Sequence, residues 1–242
     1  MVSTERSEGV CQIARPATRW LTAGPNGGYQ NAPAAYNVSV PEAWERVDLT
    51  QYGADRRAAA GFDHVGPTLF TGVNQQHARV ARCDPVTVVA TAGLSNPATL
   101  PMDPEERPKS SEHGPPTQPG TVNVVAVTEV PLTDGGLATL LATVVEAKTA
   151  TLCKTAGITG TTTDAVIVGT PRHGEKEPFA GSATAVGSAC RAGVRDAIRQ
   201  SLDSRYEKTA FDPNMSPYGV QTTHRATVEP VQERSGTSGS IE

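Results

Sequence analysis

The longest stretch of patterned apolar positions lies mid-chain, over residues 120–171. Residues 122–127 are almost continuously apolar, which predicts a strand buried on both faces, with Thr128 and Glu129 emerging at its end. Pro131 then favours the start of a helix, and Thr133 or Asp134 suits its N-cap. Leu137, Leu140, Leu141, Val144 and Val145 form one stripe of that helix, and Leu152 resumes it. At about 100° per residue, Lys148 falls about 20° from Leu141, inside the stripe. An ammonium there must snorkel to water, pair with a carboxylate or face a ligand cavity, because burial alone is costly. A lysine near a helix C-terminus is also favoured by the helix dipole. Glu146 points away from the stripe, towards solvent. Gly157 suits the residue just past the helix. The polar run Gly160, Thr161, Thr162, Thr163, Asp164 leads into a second apolar strand over 165–170.

Elsewhere the pattern is shorter-ranged. Residues 10–15 and 19–23 read as two strands, and the second ends at Gly24-Pro25-Asn26-Gly27-Gly28, a turn sequence whose glycines would also let backbone N–H groups approach a ligand. Residues 36–40 alternate as a half-buried strand. Residues 65–71 read as a strand and 73–81 as a short helix carrying His77, a core or boundary histidine. Residues 86–91 suit a central strand, and its end presents Thr91, Gly93, Ser95 and Asn96, either as a capped turn or as small-molecule contacts. Residues 182–202 have helical spacing with a thin face at Gly187, Ala189 and Gly193.

This order, β-rich and then βαβα, predicts an α/β or α+β fold: a single domain with a mixed β-sheet flanked by helices. The domain is expected over 10–210, after a flexible start at 1–9. A Pro-rich surface insertion at 97–119 contains His113. A polar extension at 211–242 is expected to be largely disordered.

Composition narrows the partners. A formal charge of -4 with no Lys/Arg stripe argues against a nucleic-acid protein and favours a small molecule or another protein as partner. Cys11, Cys83, Cys153 and Cys190 lack metal-ligand spacing, so buried reduced thiols are the simpler reading and no metal site is expected. Neither a signal-type segment nor a membrane-span length is apparent, so the expectation is a cytoplasmic protein with no membrane partner; homo-oligomerisation stays open.

Three threonines and an aspartate after Gly160 exceed what a loop needs, and they suit binding of polar groups or activation of water. The P-loop, G-x-S-x-G and H-E-x-x-H patterns are absent. His173 is the best-placed histidine for acid–base work, although a surface turn is the commoner setting for such a residue.

Several short motifs, in order over residues 10–203, resemble those of the adenosylcobinamide amidohydrolases, the CbiZ family. They are Trp20-Leu21-Thr22 with Asn26-Gly27-Gly28; Val65-Gly66 with Thr71; Thr91 through Asn96; Gly120-Thr121-Val122-Asn123; Thr128 through Thr133; Glu146-Ala147-Lys148; Gly160 through Ala165; and Phe179-Ala180-Gly181. The insertion after Asn96 and the long tail depart from the pattern, and Glu129 stands where the family has an acid of either length. The resemblance implies hydrolysis of the amide between aminopropanol and the corrin side chain of adenosylcobinamide. The cobalt then arrives inside the corrinoid substrate, and the protein needs no cofactor of its own.

Set against that chemistry, Asp164 or Glu129 takes the acid–base work, and Lys148 supplies positive charge or pairs with one of them. Asn26, Gly27, Gly28, Thr91, Gly93, Ser95, Asn96, Thr161, Thr162, Thr163 and His173 are candidates for holding substrate. Thr161 acting as an N-terminal nucleophile after self-cleavage is an alternative mechanism. A non-catalytic corrinoid-binding or transfer module is the alternative function.

Overall fold

The computed structural model describes residues 1–41, 48–103, 120–206 and 219–231. Trp44, His113 and most of the 97–119 insertion and 211–242 extension lie outside them. Eight strands form one mixed sheet: β1 Ser3–Ser7, β2 Val10–Thr22, β3 Gly28–Ser39, β4 Thr68–Thr71, β5 Arg79–Cys83, β6 Val86–Ala92, β8 Val122–Thr128 and β10 Ala165–Pro171. The order is β4-β3-β2-β10-β8-β6-β5, with β1 paired to β2 outside that path. The parallel pairs are β8 with β10 and β3 with β4, and the other pairs are antiparallel. A small second sheet joins β7 Pro97–Thr99 to β9 Gly160–Thr161 and β11 Val220–Gln221.

Helices α2 Asp134–Ala156 and α3 Ala185–Tyr206 cover one face of the sheet, where Val88, Ala90, Val124, Ala126, Val166 and Val168 meet Leu137, Leu140, Val144, Val194 and Ile198. The other face is closed by the sheet itself: Ile13, Trp20, Ala35 and Leu69 pack against Val89, Val125, Val127 and Ile167. This is why every residue of β6 and β8 is buried. Helix α1, Leu49–Ala59, seats Tyr52 against Phe70 at the β4 edge.

The mixed sheet flanked by helices is the expected fold, and the βαβ unit β8-α2-β10 lies where the pattern placed it. Thr133 caps α2, accepting from Gly136 N at 3.0 Å, and Gly157 ends it in the left-handed region. The buried stripe of α2 is rotated from the expected one. Val145 is 39% exposed, while Thr143, Ala147 and Thr151 are buried, because α3 packs on that small-residue side. By length and composition α2 would also span a membrane, but its buried half packs on the sheet and α3 as a core helix.

Three local expectations are corrected. The two strands expected at 10–15 and 19–23 are one strand, β2, bulged between Ala14 and Thr18; the bulge absorbs Pro16, which lacks a ladder N–H. The start of the chain is not loose, since β1 pairs with β2 from Ser3 and Val2 is buried. Residues 73–81 are not a helix: Asn74 caps a single 3-10 turn, Gln75–His77, and the chain then enters β5. Val80 and Ala81 fit a strand as well as a short helix, and pairing with β6 decides between them. His77 is a boundary residue as expected, with Nδ1 3.0 Å from Ser204 Oγ. Burial is the main cause lowering its pKa, with Arg205 and Arg79 adding to it.

The thiols are all free, and burial pushes those of Cys11 and Cys190 up to about 11 and about 12.

Candidate active site

Polar side chains gather where β8 and β10 begin and β6 ends. Asp164, one residue before β10, turns its carboxylate back across the loop. Oδ1 accepts from Val122 N at 2.9 Å and from the Thr161 hydroxyl; Oδ2 accepts from Thr161 N at 3.0 Å and from Lys148 Nζ. The Lys148 and Asp164 side chains are only 8% and 11% exposed. Pairing with a carboxylate is therefore how the lysine in the apolar stripe is accommodated. Gly160 makes that approach feasible, because a Cβ there would lie 2.8 Å from Asp164 Oδ2 and 3.3 Å from Lys148 Nζ.

Four donors occupy both carboxylate oxygens, so Asp164 has no vacant acceptor position for an incoming water.

Neighbouring loops complete the cluster. Thr162 N donates to Asn96 O at 3.1 Å and Gly93 N to Thr121 O at 3.1 Å. Thr163 and Thr121 share a hydroxyl hydrogen bond of 2.7 Å. The structure thus brings together Lys148, Asp164, Thr161, Thr162, Thr163, Gly93, Ser95 and Asn96; Thr162 and Thr163 are exposed and Ser95 is half-buried. Asn26-Gly27-Gly28 closes the same end of the sheet, since Ala23 N donates to Val166 O at 2.9 Å. The turn reading holds there, with φ of 54° at Asn26 and 109° at Gly28, and Asn26 donates to Thr50 on α1 at 2.8 Å.

Three candidates lie elsewhere. Thr91 is wholly buried and accepts from Asn37 Nδ2 at 2.9 Å inside the rolled sheet, so it is not presented to a ligand. Glu129 follows the far end of β8, about 23 Å from Val122 at strand rise. It pairs with Arg15 at 2.9 Å and is 40% exposed. Glu129 and Asp164 therefore do not meet. His173 is exposed beyond the end of β10, on the same far side as Glu129. That end also carries the Arg19–Asp134 pair, whose hydrogen bonding holds the Asp134 carboxyl below its usual range. Replacing Glu129 by Gln should leave turnover within about twofold of wild type and cost at most about 1 kcal/mol of stability, the value of an exposed pair. Steady-state rates and thermal unfolding check both.

Thr121 and Asn123 were visible only as members of the Gly120–Asn123 motif, and Asn37 not at all as a site residue. Asn123 Nδ2 donates to Asn37 Oδ1 and to Phe70 O, each at 2.9 Å. Their signal was an amide inside a strand otherwise built of β-branched and small residues, where a buried polar group needs partners.

The family model for CbiZ, adenosylcobinamide amidohydrolase, matches residues 2–210. The chain belongs to the CbiZ family. A curated relative from Halobacterium salinarum, named adenosylcobinamide amidohydrolase, is 48% identical over 94% of this chain and 99% of its own length. A second relative of that name, from Methanosarcina mazei, is 28% identical over 77% of this chain and 91% of its own. Among solved structures, the L-aminopeptidase D-Ala-esterase/amidase of Ochrobactrum anthropi aligns with 83% of this chain and 82% of its own at 14% identity. Its TM-score of 0.35 is too low to bear on the chemistry of the CbiZ chain.

Proposed function

We propose that the chain is an adenosylcobinamide amidohydrolase, converting adenosylcobinamide and water into adenosylcobyric acid and 1-aminopropan-2-ol. The family match over residues 2–210 carries this reading, and the 48% identical relative of the same name supports it.

The residue roles in the proposal follow from the Asp164 cluster. Thr161 Oγ1 attacks the amide carbon while its proton passes to Asp164 Oδ1 along the hydrogen bond already present. Lys148 stays beside the carboxylate as a fixed positive charge, and the exposed Thr162 hydroxyl donates to the developing oxyanion. The C–N bond breaks, and the amine leaves with the proton held by Asp164. Water then attacks the resulting ester and gives a proton to Asp164, and Thr161 Oγ1 departs and takes that proton back. One water is consumed per amide, the cobalt travels with the corrinoid, and the chain needs no cofactor of its own. A cytoplasmic location belongs to the same reading.

A second reading, a corrinoid-binding or transfer module without turnover, draws on the saturation of Asp164 by four donors. Incubating purified protein with adenosylcobinamide and detecting free 1-aminopropan-2-ol by mass spectrometry separates the two. Stoichiometric amine release is expected; a tight complex without amine would establish the binder. Denaturing electrophoresis of the active preparation should show one intact chain, whereas cleavage between Gly160 and Thr161 would make Thr161 an N-terminal nucleophile.

A further inference from the structure

A cavity that Asp164 does not line lies on the outer side of the helical layer. Its volume is about 790 Å³, and residues from α2 and α3 line most of it. All its ionisable lining groups are cationic: Lys154 from α2, and Arg191, Arg195 and Arg199 at successive turns of α3. This concentration stands out in a chain whose formal charge is -4. Glu146 lies 2.8 Å from Arg191, and Asp196 accepts from Arg195 Nε at 2.7 Å and Nη2 at 3.0 Å while also lying in the field of Arg199, so two carboxylates offset part of the positive charge. Eight residues beyond that first pair along each helix, Lys154 and Arg199 line the same groove, and neither forms an ion pair among the described residues. The Arg191 contact is itself incomplete. Nη1 is close to Glu146 yet out of line for a hydrogen bond, and it is buried without another partner.

Like charges gathered around one concave surface repel each other unless an anion joins them. An amide-armed corrinoid has no anionic group to offer, so this groove does not suit the proposed substrate. Guanidinium groups recognise phosphate oxygens through paired donors, and arginines one helical turn apart are about 5–6 Å apart at Cβ, so their side chains suit a row of linked phosphates better than a single carboxylate.

We propose that the α2–α3 groove is a binding site for a small polyanion carrying linked phosphate groups. Because α2 also carries Lys148, the occupied groove fixes the helix from which the Asp164 partner projects.

The test uses the purified full chain without corrinoid, so its outcome is independent of the hydrolase reading. Thermal unfolding is followed with tripolyphosphate, and separately with ATP, at ionic strength held constant with sodium chloride. Tm should rise by roughly 5 °C at a hundredfold excess over Kd. The rise should vanish in Arg195→Gln/Arg199→Gln and shrink in Lys154→Ala, the latter guarding against a double variant that does not fold. A rise with both probes supports recognition of the phosphates alone, and a rise with ATP only supports a nucleotide. No rise with either probe, or an equal rise in the variants, overturns the proposal.

Discussion

Asp164→Asn should lower turnover by about two to four orders of magnitude, the range for removing a group that handles protons, and Lys148→Met by about two to three, the range for removing an electrostatic partner of the reaction. Each should also destabilise the fold, because removing one partner strands the other charge at a site where both side chains are nearly inaccessible; such losses run to about 3–5 kcal/mol. Single variants therefore mix two effects. The double variant Lys148→Met/Asp164→Asn separates them, since with both charges gone it should recover much of the lost stability while staying as slow as either single variant. Tm and kcat measured on the same preparations decide the matter. If turnover returns along with stability, the pair is only a structural anchor.

The second large effect is at Thr161. Its hydroxyl already donates to Asp164 Oδ1, and its backbone N–H holds Oδ2. Thr161→Val keeps the shape and removes the attacking oxygen, and should lower kcat by on the order of a thousandfold or more. Thr161→Ser keeps the oxygen and should retain most of the turnover, while the lost methyl costs about 0.8 kcal/mol of stability. A valine variant with near wild-type kcat would show that water, and not this hydroxyl, is the nucleophile.

The sequence revealed Lys148 because a charge inside an apolar stripe breaks a long, regular period, and such a break is visible without coordinates. It also placed Asp164 beside a run of hydroxyls. It did not reveal that Glu129 lies at the opposite end of β8, because an acid at either end of a buried strand reads as emerging. Only the parallel register of β8 and β10, with Ala165 opposite Asn123, makes the two ends distinct. Thr91 misled for a related reason. A strand buried on both faces gives its last polar side chain no preferred direction in the pattern, and here it turns to Asn37 inside the roll. The motif resemblance carried most of the reading of activity, and the family match spans residues 2–210, a range that includes all of those motifs.

The small sheet has a wider consequence. Among the described residues β9, which contains Thr161, pairs only with β7, and β7 in turn pairs with β11 from the polar extension, where Thr222 N donates to Thr99 O at 3.1 Å. The extension therefore backs the strand that holds the proposed nucleophile. Substitutions in this tail, remote in sequence from every candidate residue, have a mechanical route to the proposed nucleophile, and through it a way to tune the rate without altering any residue of the Asp164 cluster.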